Sequence, residues 1–225
     1  MTIDIAANLQ RVTANIATAA RRVQRSAEHI QLVAVSKTFS ADIIAAALQA
    51  GHRCFGENRV QESQIKWPAL KKQFSGVELH LIGPLQTNKV RDAVALFDVI
   101  QTVDRLKLAR ALVAEMNTQG RFFPVYIQVN TGSEGQKAGV LPEQADIFIK
   151  ECLNLGLDVM GLMCIPPIDD EPGVHFGFLR AIAQRNGIKN LSMGMSGDYQ
   201  IAVAMGATSV RVGSAIFGQR APYRG

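Results

Sequence analysis

Three groups of residues could do chemistry together. Lys37 ends the apolar stretch "LVAVSK", and two turns of small residues, "MSGD" (Met195–Asp198) and "RVGSAIFG" (Arg211–Gly218), lie near the C-terminus. An amine becomes a nucleophile when burial and nearby positive charge lower its pKa and free its lone pair. Turns of Gly and Ser let backbone N–H groups approach an anion, and the hydroxyls of Ser196 and Ser214 add donors. An amine beside an anion cradle is equipped to form a Schiff base with a phosphorylated carbonyl compound. Two ligands meet that description: pyridoxal 5'-phosphate, and a sugar phosphate of the kind that lysine-dependent aldolases take. Singly, each feature has a plainer reading: a solvated strand end, a helix start capped by Ser or Asp, and close packing of small residues.

Arg211 bears on the choice. It stands two residues before Gly213, on the same face of a period-two strand. A guanidinium only donates. Opposite a pyridine nitrogen it would leave that nitrogen unprotonated and weaken the ring as an electron sink. Against a phosphate or carboxylate it would be an ordinary anion ligand. The residues alone leave both readings open.

The elements that must position these groups follow from hydrophobic periodicity. Ile5, Leu9, Val12, Ile16, Ala19 and Val23 recur every three or four residues, so residues 3–25 form an amphipathic helix. A strand at Leu32–Ser36 leads to Lys37, and Ser40 caps a helix that Gly51 ends. Strands at "HRCFG", "VELHLIG", "FDVIQTV", "FFPVYIQVN", "LDVMGLMCI", "LSMGM" and "TSVRVGS" alternate with helices, one of them capped by Asp104. Regular β-then-α alternation with continuously apolar strands implies a parallel sheet covered on both faces. Eight such units close into a (β/α)8 TIM barrel with an extra N-terminal helix (residues 1–28), read as a single domain over 1–225. An open doubly wound sheet is the alternative, but "VSKTFS" lacks the glycine fingerprint that it would want after the first strand. In a closed barrel the eighth strand borders the first, which sets Lys37 beside both small-residue turns at the C-terminal rim.

Composition narrows the class. The chain has 225 residues, 48% hydrophobic and 19% charged, a globular balance without a membrane-length apolar run. The N-terminus has no secretory pattern, and Cys54, Cys152 and Cys164 are odd in number, which fits a cytoplasmic protein with reduced thiols. Cys54 and Cys164 read as core residues in preference to redox or aldehyde-reactive ones. The four histidines show no metal-ligand spacing, so no metal is expected. Net charge is +5, yet the basic residues are dispersed and aromatics are 6%, so nucleic acid is not an expected partner.

Six ordered blocks, "AVSKT", "FGENRVQE", "LIGPLQTNK", "GLMCIPP", "LSMGMSGD" and "VRVGSAIFG", together with the spacing of Asn130, Glu134, Lys137 and Gly139, resemble the pyridoxal phosphate homeostasis proteins. These are single-domain relatives of the alanine racemase barrel. The resemblance implies that Lys37 carries pyridoxal 5'-phosphate covalently as an internal aldimine, and that Met195, Ser196, Gly197, Gly213 and Ser214 bind its phosphate. It further implies that Arg211 contacts the pyridine nitrogen and that Asn58 flanks the ring. The implied function is intracellular cofactor homeostasis without significant turnover. The implied partners are the cofactor and pyridoxal-phosphate-dependent apoenzymes, with a monomeric state. Phe39–Ser40 and Arg59 depart from the family pattern at the edge of the site.

Enzymatic alternatives are a racemase-like activity and, further off, a Schiff-base aldolase. Racemisation needs a second base on the opposite ring face. None of Tyr126, Tyr199 and Tyr223 matches the racemase tyrosine, and the chain is expected to end with the barrel. Among the remaining residues, Glu57 reads as a loop support in preference to a catalytic acid. His80, Gln86, Asn88 and Lys89 are candidates for the mouth, with Asn88 equally a helix cap.

Overall fold

The structure, a computed structural model, describes residues 3–219. The outermost positions of the expected 1–225 domain, and Tyr223, lie outside the described residues. The alternation is the expected one. Helix α1 (Ile5–Arg22) comes first, then β1 (Gln31–Val35), α2 (Ala41–Gln49), β2 (Cys54–Glu57) and α3 (Val60–Gln73). Next come β3 (Glu78–Leu81), α4 (Val90–Leu96), β4 (Val99–Val103), α5 (Leu106–Gln119), β5 (Val125–Gln128) and α6 (Ala145–Asn154). The chain continues through β6 (Val159–Met163), α7 (Pro172–Arg185), β7 (Asn190–Ser192), α8 (Tyr199–Ala204), β8 (Ser209–Val212) and the short α9 (Ser214–Phe217). The strands form a closed barrel in sequence order, all parallel, with β1 paired to β8 through Val33 with Arg211 and Ala34 with Val212. Among the described residues, no helix is long and apolar enough to cross a membrane.

The main core lies between strands and helices, where Phe55, Leu79, Ile100 and Leu162 meet Trp67, Leu112, Phe176 and Leu179, all fully buried. The rings of Phe55 and Trp67 are 5.0 Å apart, a tilted aromatic pair. Burying each large side chain contributes about 1.5–3 kcal/mol. The inside of the barrel is different. His80, Gln101, Ser192, Ser209 and Arg211 are all at most 3% exposed there. Continuously apolar strand segments do not announce a polar lumen.

Helix α1 packs against α8, α9 and α2 on the outside of the barrel. Asp4 caps it by accepting the Ala7 N–H at 2.9 Å, and Leu9, Val12 and Ile16 are buried. Its polar flank ties down the last two helices: Asn8 Nδ2 donates to the Ile216 carbonyl at 2.8 Å, and Asn15 Nδ2 donates to the Tyr199 hydroxyl at 3.1 Å.

Four local expectations change. The helix ends at Arg22, and Val23 is its exposed C-cap instead of part of the buried stripe. Asp104 does not cap α5; Arg105 holds the cap position, and Asp104 pairs with the Arg105 guanidinium. Ser40 occupies the cap position of α2, but among the described residues its side chain makes no capping hydrogen bond. Strand β1 ends at Val35, so Lys37 stands in the turn beyond it.

Candidate functional site

Lys37 is half-buried at the C-terminal rim. Its turn is closed by the Phe39 N–H donating to the Ser36 carbonyl at 3.2 Å, with Thr38 at φ 70°. Because β8 borders β1, the residue after β8 packs here too: a Cβ on Gly213 would stand 3.3 Å from both Val35 Cβ and the Val35 carbonyl oxygen. The missing side chain lets the two rims close up, two residues from Lys37.

The phosphate-loop candidates are one unit. The Gly213 N–H donates to Ser196 Oγ at 3.1 Å, and the Met195 N–H donates to Asp198 Oδ1 at 2.5 Å, folding "MSGD" back on itself. The backbone N–H groups of Ser196, Gly197 and Ser214 have no acceptor among the described residues. A Cβ on Gly197 would meet nothing within 4 Å, so that loop opens to solvent, and Ser214 is exposed at the start of α9. A cavity of about 270 Å³ lies alongside, lined by Pro167, Met195, Gly197 and Asp198 among others.

Asn58 follows β2 and is clamped by Gly83, where a Cβ would come 2.3 Å from the Asn58 carbonyl oxygen. Among the described residues its Oδ1 is buried without a hydrogen-bond partner. Buried side-chain acceptors are normally satisfied, so this one asks for a ligand donor. Orphan N–H groups on two tied loops, an unsatisfied amide on the next strand end and an amine between them fit a phosphorylated aromatic aldehyde.

Arg211 lies inside the barrel. Its Nη1 donates to Ser192 Oγ at 2.7 Å and its Nη2 to the Cys164 carbonyl at 2.8 Å. Burial, the leading influence, lowers its pKa, while Cys164, Asp198 and Tyr126 pull it back up. From Arg211 a chain of hydrogen bonds runs down the lumen. Ser192 Oγ donates to Gln101 Oε1 at 2.6 Å, Gln101 Nε2 meets His80 Nδ1 at 2.6 Å, and His80 Nε2 meets Glu78 Oε1. Because Arg211 can only donate, Ser192 must pass its own proton to Gln101 and the amide must donate to Nδ1. The His80 hydrogen therefore sits on Nε2 and goes to Glu78, and that bond is the first reason the Glu78 carboxyl falls below its ordinary range.

The fold thereby gathers Cys54, Glu78 and His80 within 4.8 Å, a set that their spacing in the chain does not reveal. The direction of the chain makes the ring a donor there, so the set is the end of a hydrogen-bond relay instead of an open ligand set. It borders a cavity of about 710 Å³ lined by Gln31, Glu78, Asp98 and Tyr126 among others, at the N-terminal ends of the strands. His80 therefore lies away from the mouth. Gln86 is exposed, and Asn88 lies within a one-turn helix (Thr87–Lys89) and caps nothing.

Glu57 is fully buried and supports the Lys37 turn. Its Oε1 accepts from Ser36 Oγ at 2.7 Å, Lys66 Nζ at 2.9 Å and Trp67 Nε1 at 3.1 Å. Burial, the largest influence, raises its pKa against those hydrogen bonds. Burial likewise pushes the Cys164 thiol up to about 12 and the Cys54 thiol well up, so both are neutral core groups and not thiolates. Lys66 and Glu62 escape a reading for chemistry; their one signal is the i,i+4 spacing on α3.

The alanine racemase N-terminal domain family matches residues 7–221. The pyridoxal phosphate homeostasis protein of Vibrio cholerae is 40% identical over 224 residues, 95% of each chain. The structure of PipY from Synechococcus elongatus without PLP shares 36% identity at a TM-score of 0.83, covering 95% of this chain and all of that one. PipY with PLP bound shares 35% identity at a TM-score of 0.81, with the same coverage. Sequence, length and barrel agree: the chain belongs to the alanine racemase N-terminal domain family, among its pyridoxal phosphate homeostasis proteins.

Proposed function

We propose that this chain binds pyridoxal 5'-phosphate as a Schiff base on Lys37 and keeps it in reserve for apoenzymes, without significant turnover. Met195, Ser196, Gly197, Gly213 and Ser214 form the phosphate site: the N–H groups of Ser196, Gly197 and Ser214 and the two serine hydroxyls donate to the anion, while the N–H groups of Met195 and Gly213 hold the two loops in shape. Asn58 flanks the ring, its Oδ1 taking a ligand donor. Arg211 faces the pyridine nitrogen with the N–H groups left over from Ser192 and Cys164. Bound there, the cofactor would supply an aldehyde and an electron-withdrawing ring; a donor-only partner at the nitrogen damps the latter.

The observation that supports this reading is the contact of Gly213 with Val35, which brings a tied pair of small-residue loops, the proposed anion site, against the turn of a rim lysine. A limited role in turnover is supported by the placement of the tyrosines. Tyr126 is buried in the barrel, where burial raises its pKa, and Tyr199 is engaged by Asn15 at the start of α8. Neither is placed as a second base. The relatives' names also refer to homeostasis.

Borohydride reduction of the purified, cofactor-loaded protein, followed by peptide mass spectrometry, tests the reading. A phosphopyridoxyl adduct on Lys37, absent from Lys37→Ala together with the visible imine band, is expected. An adduct on another lysine, or none, overturns it.

A further inference from the structure

The turn that carries Lys37 is strained and is held by a second lysine. In the four-residue turn Ser36–Phe39 the third residue, Thr38, has φ 70°. Type II turns require positive φ at that position and favour Gly or Asn. A β-branched residue there is strained and persists only when its surroundings impose it.

The surroundings converge on one ammonium. The Thr38 N–H donates to Glu62 Oε1 at 2.6 Å. Lys66 Nζ lies 2.7 Å from that same oxygen and 2.9 Å from Glu57 Oε1. It also reaches the carbonyls of Ser36 at 3.4 Å and Phe39 at 3.3 Å, the first and last residues of the turn. Glu57 in turn holds the Ser36 hydroxyl. Lys66 is 8% exposed and Glu57 fully buried. A buried ion pair of this kind gains little stability, because desolvation offsets the attraction. What it fixes is geometry.

We propose that Lys66 is a positioning residue for the Lys37 amine. Through Glu57, Glu62 and the carbonyls of Ser36 and Phe39 it imposes the strained turn that aims Lys37 at the aldehyde of a phosphate-anchored ligand. The proposal rests on the Schiff-base reading above. The step it serves is a condensation: the amine lone pair adds to the aldehyde carbon, a C=N bond replaces C=O, and water leaves, with no change of oxidation state. Without the ammonium, Glu62 loses its partner and Thr38 relaxes to negative φ. The Lys37–Thr38 peptide then rotates, and the amine leaves its attacking position. Among the described residues, Lys66, Glu57 and Glu62 make no hydrogen bond to the loops at Met195–Gly197 and Gly213–Ser214, so phosphate anchoring survives.

Two probes separate the effects. Pyridoxal 5'-phosphate reports imine formation by stopped-flow absorbance, and pyridoxine 5'-phosphate, with the same phosphate but no aldehyde, reports anchoring by equilibrium dialysis. Lys66→Met should slow imine formation about tenfold or more, as expected for a misplaced reacting group, and leave pyridoxine 5'-phosphate binding unchanged. Glu62→Gln, which alters a partly exposed side chain and does not depend on the buried lysine being removed, should slow it in the same direction. Adding Thr38→Gly to Lys66→Met should restore part of the rate, because glycine accepts positive φ without strain. Wild-type imine rates in the single variants, a parallel loss of pyridoxine 5'-phosphate binding, or absence of rescue would each overturn the proposal. Should Lys66→Met not fold, Glu62→Gln decides alone. Wild-type protein that binds pyridoxine 5'-phosphate but forms no imine would remove the Schiff-base reading itself, a result seen before any variant is made.

Discussion

The backbone N–H of Gly213 donates to the Ser196 hydroxyl at 3.1 Å, joining the turn after β8 to the turn after β7. Two loops at adjacent strand ends thus become a single cradle, and Gly213 presses that cradle against Val35 at the root of the Lys37 turn. Ser214 begins α9 on the open side of this contact. Ser214→Asp puts a carboxylate where the phosphate is proposed to sit. Like charges about 4 Å apart repel by about 1–4 kcal/mol between water and a protein surface. Affinity for pyridoxine 5'-phosphate should fall about tenfold or more by equilibrium dialysis, with the melting temperature unmoved because the side chain is exposed. Undiminished binding would take Ser214 out of the cradle.

Support for the cradle extends to the N-terminal helix. Asn8 donates to the Ile216 carbonyl at 2.8 Å, holding α9 from behind. Asn8→Ala should lower stability by about 1 kcal/mol, the net worth of such a hydrogen bond. It should also weaken phosphate-ester binding several-fold by loosening α9. Urea unfolding and equilibrium dialysis give the two numbers; a stability loss with unchanged binding would separate α1 from the site.

In the lumen, Ser192 is the link between Arg211 and Gln101. Ser192→Ala leaves a buried guanidinium N–H and a buried amide oxygen without that partner. Each unsatisfied group costs about 1–3 kcal/mol. At about 2–4 °C per kcal/mol for a chain of this size, calorimetry should show a drop of several degrees. A melting temperature equal to wild type would mean that the relay contributes nothing to the fold.

Two carboxylates beneath Lys37 should titrate in opposite senses. Burial, the largest influence on Glu57, raises its pKa above the unfolded value of about 4.3. The unfolded chain then releases that proton first, so the Glu57 contribution to stability falls as pH rises from about 4.3 towards the folded value. At Glu62 burial also pushes upward, but the hydrogen bonds from Lys66 and the Thr38 N–H, with the charges of Lys66 and Arg59, outweigh it and hold the pKa below the unfolded value. Its stabilisation is present above about pH 4.3 and is lost as pH falls through the folded value. Urea unfolding between about pH 3 and 6 should therefore show Glu62→Gln flattening the acid loss of stability. Glu57→Gln should make stability rise more steeply with pH. Slopes that change in the same direction would contradict these assignments.

Much of the fold is legible in the order of residues. Apolar stretches without interruption, separated by helical periods, specify parallel strands covered on both faces, and eight of them close a ring that brings Lys37 to Gly213. The Ser and Gly of the proposed cradle and the small-residue turn ends are also visible, because anion binding by backbone N–H groups would need those residue types. Less is legible where a contact joins distant positions. That Arg211 points into a polar lumen and meets Ser192 and Cys164, and that His80 donates a hydrogen bond to Glu78, depends on which faces of separate strands converge. No local pattern encodes such convergence. The Lys37 turn divides the same way. The chain itself supplied the amine, the strand before it and the Glu62–Lys66 spacing on one helix face. Only the packing of α3 beneath β1 and β2 put the Lys66 ammonium under Thr38, because a single side chain can hold both ends of a strained turn only once three separate elements have been brought within hydrogen-bond reach.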